Sequence, residues 1–422
     1  MKELAQEYVE VFRSEHPDSF FCYSPAIIRL ENGRLLATID VRDIDEDRKA
    51  KGLCDGWYHE NARSAWLGKI FSSDDGGKTW QHRGDFPFLH ARPFVCGNII
   101  YILGHAGDLK IIRSEDNGDS WGEVSALTRG QKWHQAPCNV CYANGCVYLV
   151  MEREKYDYPE KWKVIDLAPV LMRGRLTDDL TKVENWAFAD EVCYRDIRDR
   201  VEPNAFGVPF YRYNPCETVQ LAPKRPMHPV GILETNVVQF YDPKHVWYDP
   251  AGKTFHLFAR AHTGGVNHAG LFKVVEDDQG NMHTILEKVP SGNEIFFINL
   301  PGGQMKFHIL YDGQAGLYWL LTSQSTDSMT DVRRLDPDRF DMPNNERNRL
   351  MLYFSKNCMD WCFAGIVAIG KGHKQSRHYA SMCFDGDDLC VLSRSGDEHC
   401  FSAHDTNLII FHRVKNFRDL VY

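Results

Sequence analysis

The sequence predicts an all-β protein, a six-bladed β-propeller, and three observations carry that expectation. The first is a repeated segment. Residues 71–80 read FSSDDGGKTW and residues 112–121 read IRSEDNGDSW. Ser73, Asp75, Gly77 and Trp80 recur as Ser114, Asp116, Gly118 and Trp121. The copies lie about 40 residues apart, the length of a four-stranded blade. The second is a succession of short apolar runs punctuated by Gly, Asn and Asp along the whole chain. The third is the scarcity of long amphipathic helical patterns; only the first dozen residues suggest a short helix or an edge strand.

The repeated turn has a physical reading. Asp accepts hydrogen bonds from backbone N–H groups further along the turn, and Gly supplies a positive φ. Trp then buries a large ring against a neighbouring hairpin.

Six units follow in order. The first covers 25–42 and 65–80, with Asn32-Gly33 as a hairpin signal. The second covers 92–121, and the third runs from 136–154 to 171–186. The fourth takes 234–243, 252–262 and 269–289. The fifth takes 303–324 and 347–361, ending in SKNCMDW, a degraded copy of the turn in which Ser355, Asn357 and Trp361 remain. The sixth takes 377–396 and 406–414. Unit boundaries read this way are coarse, so five or seven blades stay open. The chain is read as one domain over 1–422, with insertion loops near 43–64, 190–230 and 325–346.

Composition bounds the function. The 422 residues are 43% hydrophobic and 25% charged, as in a soluble globular protein. Aromatics reach 12%, with 10 Trp, as blade packing or a sugar-binding surface requires. A net charge of −9 argues against nucleic acid as a partner. No apolar run approaches membrane-spanning length, and the first residues lack a signal-peptide core. Thirteen scattered Cys read as free thiols in a reducing cytoplasm. Cys138, Cys141 and Cys146 read as small buried hydrophobes rather than zinc ligands, and no metal or cofactor is expected. Oligomeric state is not legible.

Propeller ligands bind near the axis. Arg42, Glu152, Glu234, Arg260, Arg377 and Arg394 fall at strand ends that reach it, and such charges must be paired or solvated. A ring of them suggests a polar ligand. His90, His105, His134 and His262 sit at comparable turns, where imidazoles serve as acid–base groups or ligands.

The repeated turn resembles the Asp box, or bacterial neuraminidase repeat, of the sialidase superfamily. The resemblance implies a six-bladed wheel and exo-acting hydrolysis of a terminal, acidic, sialic-acid-like sugar on a glycan or oligosaccharide. It implies a Tyr nucleophile activated by a Glu, an acid/base carboxyl, and three Arg on the substrate carboxylate. HYASMCFDGDDLCVL (378–392) resembles the last-blade segment and implies Tyr379 as nucleophile. ETNVVQFYD implies Glu234 as its base, FARAH implies Arg260 as the second clamp residue, and RNRLMLYFS implies Arg349, or alternatively Arg347, as the third. Family spacing puts the acid/base near Glu60, with Asp55 close by and Asp43 at the start of the loop. Arg42, His134 and Arg377 complete the expected substrate contacts. The chain departs from the family where Tyr23-Ser24-Pro25 stands in place of Arg-Ile-Pro, so the first clamp Arg is absent. A non-catalytic sugar-binding propeller, a neutral-sugar glycosidase and a lyase working through histidine are the alternatives.

Overall fold

The computed structural model describes residues 2–52, 56–61, 64–157, 163–201 and 217–422; the side chains of Glu60 and Asn61 lie outside the description. Six antiparallel sheets stand in a ring, a six-bladed β-propeller. Blade one contains Phe20–Arg29, Leu35–Asp43, Ser64–Ser73 and Gln81–Phe86. Blade two contains Leu89–Cys96, Ile99–Ala106, Asp108–Ser114 and Ser125–Ala126. In blade three the innermost strand is split into Trp133–His134 and Cys141–Ala143, both paired with Cys146–Glu154, and Leu167–Arg175 and Trp186–Phe188 follow. Blade four contains Gly231–Val238, Thr254–His262, His268–Glu276 and Met282–Ile285, and blade five His308–Asp312, Leu317–Ser323, Arg349–Ser355 and Cys362–Ile369. Blade six takes Arg377–Asp385, Asp388–Ser395 and Leu408–Val414 from the C-terminal end of the chain and its outermost strand, Val9–Arg13, from the N-terminal end. The first dozen residues therefore contribute an edge strand, and that strand closes the wheel.

Apolar residues at alternate positions fill the spaces between blades. Tyr101 with Leu149 illustrates this for blades two and three, and Trp319 with Val391 for blades five and six. Near the axis the contacts turn polar. Each pair of adjacent blades is tied there by a side-chain-to-backbone bond. Thr38 donates to the Ala91 carbonyl (2.8 Å) and Arg92 to the Val150 carbonyl (3.1 Å). Asn139 accepts from Val237 N (2.8 Å) and Asn236 from Ile309 N (3.1 Å). His308 accepts from Met382 N (2.9 Å) and Ser381 from Ile27 N (3.4 Å). These bonds satisfy groups on the free edges of the innermost strands, and in blade three on Cys146–Glu154 where the innermost strand is split, that would otherwise be buried without partners.

The repeated turns are clips between blades. Asp75 accepts from Ser73 Oγ (2.8 Å), Lys78 N (3.0 Å), Thr79 N (2.9 Å) and Thr79 Oγ1 (2.7 Å), which holds its carboxyl well below the usual range. Asp116 repeats the pattern with Ser114 and Ser120 and is lowered to about 2 by the Ser120 bonds first. Gly77, at φ +89°, lies against Phe411 of blade six, and Gly118, at φ +86°, against Leu36 of blade one. In the degraded third copy Asn357 still accepts from Met359 N and Asp360 N (2.9 and 2.8 Å), and Cys358 takes the positive φ (+57°).

Two insertions carry structure of their own. The loop within blade one, between Leu35–Asp43 and Ser64–Ser73, starts with the helix Glu46–Ala50. The stretch read as a loop near 190–230 contains the helix Tyr194–Ile197 and the hairpin Val219–Ala222 with Arg225–Met227. That hairpin packs on the 325–346 insertion through Ala222, Met227, Val332 and Met342.

Gly77→Ala tests the clip. An added Cβ would lie 2.2 Å from the Phe411 ring, so the variant loses about 2 kcal/mol in denaturant unfolding. Gly145→Ala, at φ +68° with open space around it, shares the backbone strain alone and loses about 1 kcal/mol.

Candidate functional site

Four innermost strands carry the same irregularity at the same end of the wheel. Ser24 (φ +46°), His90 (+53°), Glu234 (+59°) and Tyr379 (+51°) are left-handed, and each sits where the strand register shifts. A non-glycine residue in that region is costly, and a bulge re-aims its side chain. Here the bulges turn a hydroxyl, an imidazole, a carboxylate and a phenol toward the axis.

Tyr379 is the centre of the group. Its hydroxyl accepts from Arg260 Nη1 at 2.6 Å, and the same nitrogen donates to Glu234 Oε2 at 3.1 Å. Arg260 Nε donates to the Gln304 carbonyl (2.7 Å), so the guanidinium is fixed. Glu234, bound to the same nitrogen, holds the phenolic proton more tightly while it is negative. The Tyr379 ring has three guanidinium carbons around it, those of Arg394 at 5.1 Å, Arg347 at 5.7 Å and Arg260 at 5.9 Å from its centroid. Ala136 and Met305 pack on it from blades three and five. Beneath it, Lys306 Nζ donates to the Ala380 carbonyl (2.7 Å), and burial lowers that ammonium to about 8. Burial raises the phenol above its ordinary value, against the opposing pull of Arg260.

The arginines differ in their partners. Arg260 is paired with Glu234. Arg347 and Arg394 are 4% and 2% exposed, yet neither forms an ion pair with a carboxylate among the described residues. Arg347 donates to His378 Nδ1 (3.1 Å), and burial lowers it to about 10. Arg394 donates to the His404 carbonyl and lies on the Tyr23 ring at 4.2 Å. Nε of each is buried and unpartnered among the described residues. Asp341, in the blade-five insertion, is pushed up to about 6 by burial against the influence of Arg347, Arg225 and Arg260; its Oδ1 is also buried and unpartnered among the described residues.

A second group lies across the axis. His90 Nδ1 and His105 Nε2 are 2.9 Å apart, and the His134 ring is 5.2 Å from His90 and 6.0 Å from His105. Burial holds His90 well below its ordinary value and His105 at about 3, so both are neutral. His134 Nδ1 is 3.3 Å from the fully buried Glu152, which accepts from Thr235 N (3.0 Å) and Thr235 Oγ1 (3.1 Å). Asp40 receives His90 N on both oxygens at 3.0 Å, and burial pushes it up to about 8.

The structure thus brings Tyr379, Glu234 and Arg260 together, and places His134 in the neighbouring histidine group. It differs from the sequence expectation at several positions. Arg349 does not face Tyr379: it pairs with Glu346, whose carboxylate also holds Thr326 and Arg339 of the insertion, and Arg347 stands at the phenol instead. Arg377 lies on the Tyr8 ring (5.4 Å) and donates to the Ser376 and Gly396 carbonyls. In a regular strand residues 377 and 379 would share a face, but the bulge at Tyr379 separates them. Arg42 is one step out, over Trp66 at 5.4 Å. Asp43 is bound by Arg48 (2.7 Å) and anchors the loop helix. His262 is apart from the other three, near His228, and at about 3. Glu60 lies in the strand Tyr58–Asn61 with its side chain outside the description, and Asp55 lies outside the described residues. Arg394 was legible only as one charge in the axial ring, and Lys306 and Asp341 gave no sequence signal.

No protein-family model and no curated protein matches the chain. Solved structures share its fold. A protein of unknown function from Dyadobacter fermentans superposes with a TM-score of 0.55 at 14% identity over 97% of this chain and 98% of that one. The Hadza microbial sialidase Hz136 gives 0.54 at 12% identity over 97% of this chain and 68% of its own. Trypanosoma rangeli sialidase gives 0.55 at 14% identity over 100% of this chain; this chain spans 60% of it. At such identities the likeness is one of architecture.

The unequal arginines predict opposite stability effects. Arg347→Met removes a buried, unpaired charge and raises ligand-free stability at neutral pH by about 1–2 kcal/mol. Arg349→Met takes one of two arginine partners from the buried Glu346, leaving Arg339, and lowers stability by about 1 kcal/mol. Urea unfolding of both variants checks the signs.

Proposed function

We propose that the protein is an exo-acting glycoside hydrolase of sialidase type, releasing a terminal acidic sugar from a glycan. One observation supports this above the others: two buried guanidinium groups, without a carboxylate partner among the described residues, flank a phenol at the axis. Buried charge is normally paired, so this site is complete only with an anion in it. A sugar carboxylate between Arg347 and Arg394 would supply charge-assisted bonds to both. The two repeated turns are read as Asp boxes. Arg394 is read as standing in for the clamp residue that Tyr23-Ser24-Pro25 lacks.

Tyr379 is the nucleophile in this reading. A carboxylate nucleophile would be repelled by a substrate carboxylate on the anomeric carbon, whereas a neutral phenol is not; Tyr-dependent sialidases are a recognised exception to the paired-carboxylate rule. The resting phenol is protonated. Arg260 and Arg347 favour the phenolate, and Glu234 disfavours it only while negative. Transfer of the phenolic proton to Glu234 during attack removes that repulsion at the moment the phenolate is needed.

Turnover of an aryl α-sialoside by wild type and Tyr379→Phe tests the reading. Wild type turns it over, and the variant loses at least about 1,000-fold in kcat/KM while keeping its fold. A folded wild type inert on acidic aryl glycosides contradicts the proposal. Near-normal turnover by Tyr379→Phe contradicts it too, and transfers the chemistry to the histidines.

A further inference from the structure

Of the three converging imidazoles, His134 is the one whose ring nitrogen faces a carboxylate among the described residues, and its side chain is 31% exposed whereas His105 is buried. His90 and His105 face each other through ring nitrogens, and burial keeps them neutral. Glu152 is fully buried and fixed by both donors of Thr235, the residue after Glu234. The backbone of the general base and the carboxylate behind His134 are therefore one unit. On the other side, Ala136, two residues from His134, packs against Tyr379. His134 thus lies two residues along the chain from a side chain that packs on the phenol, and carries a buried carboxylate behind its ring. Such a carboxylate orients an imidazole and stabilises its protonated form.

We propose that His134, positioned by Glu152, is the general acid/base of this site, protonating the glycosidic oxygen as Tyr379 attacks. This rests on the glycosidase reading above. In the first step the Tyr379 oxygen bonds to the anomeric carbon and its proton passes to Glu234. The glycosidic C–O bond breaks, and the leaving oxygen takes a proton from the His134 imidazolium. In the second step neutral His134 accepts a proton from water. The water oxygen bonds to the anomeric carbon, the bond to Tyr379 breaks, and the phenolate recovers its proton from Glu234. The sum is glycoside plus water giving free sugar plus alcohol, with the anomeric configuration retained. His90 and His105 are positioning residues: neutral and in ring contact with His134, they leave the proton on it. Arg394, Asp40, Glu152 and the buried Arg92, whose charge acts on Glu152, are charged or titratable groups around the cluster among the described residues.

A leaving-group series separates this role from a structural one. His134→Ala is compared with wild type on the dinitrophenyl and methyl glycosides of the same acidic sugar. The dinitrophenyl group departs without a proton, so the variant's first step stays within about 5-fold of wild type, whereas the methyl glycoside falls by at least about 100-fold in kcat/KM. Azide restores turnover of the dinitrophenyl substrate by the variant and gives a glycosyl azide of retained configuration. The decline of kcat/KM at high pH, which reports loss of the acid's proton, disappears in the variant. Glu152→Gln, a milder change, shifts that decline to lower pH. Equal losses on both substrates, or an unchanged pH profile in folded variants, overturn the role of His134 while leaving the glycosidase reading intact. A wild type inactive on every acidic glycoside overturns both.

Discussion

The site depends on a single backbone device, a left-handed bulge in the innermost strand. A regular strand at the wheel's centre presents alternate residues to the two adjoining blades and none squarely to the axis. At Ser24, His90, Glu234 and Tyr379 the chain reverses φ, and the side chain turns inward. The bulge also displaces the residues after it, so that Asn236 and Ser381 reach the next blade's inner strand. The distortion that exposes the reactive groups is thus secured by the bonds that close the ring. Lys306, bonded to the carbonyl of Ala380, fixes the bulge that carries the phenol.

Electrostatics explains the asymmetry of the cleft. One side gathers Arg260, Arg347 and Arg394 around Tyr379. Among the described residues one carboxylate, Glu234, ion-pairs with this trio, and it belongs to Arg260. The other side gathers neutral imidazoles and a carboxylate, Glu152, that serves His134. On the proposed reading, positive charge without an ion-paired carboxylate lies where a substrate anion would sit, and the His134–Glu152 pair lies where a leaving group would depart. The insertion that leads into Arg347 also supplies Phe340, which lies on that guanidinium at 5.1 Å and stacks on His404 at 4.9 Å. The wall of the site is therefore made by residues outside the repeating units.

What the sequence made legible was local. The Ser-Asp-Gly-Trp turns announce themselves because the bonds of their Ser and Asp side chains fall within the turn itself. Six units and the positions of Tyr379, Glu234 and Arg260 followed from the run of strands and a family resemblance. What was not legible was set by distance in sequence or by broken alternation. Arg377 and Tyr379 share strand parity, and only the bulge sends one outward. Nothing in the local sequence separates Arg347 from Arg349; Glu346 binds the second, and the first stands at the phenol. The histidines were visible as comparable turns, but the convergence of His90, His105 and His134, and the exclusion of His262, depend on how blades two, three and four are rotated about the axis.

The central claim is that the site is built around a missing anion. Calorimetric titration with a non-hydrolysable C-methyl analogue of an α-sialoside and with its carboxamide tests it most directly. The account predicts that the carboxylate binds at least about 100-fold more tightly than the amide, and that Arg347→Met removes most of the difference. Equal affinity for acid and amide in the wild-type protein would contradict it.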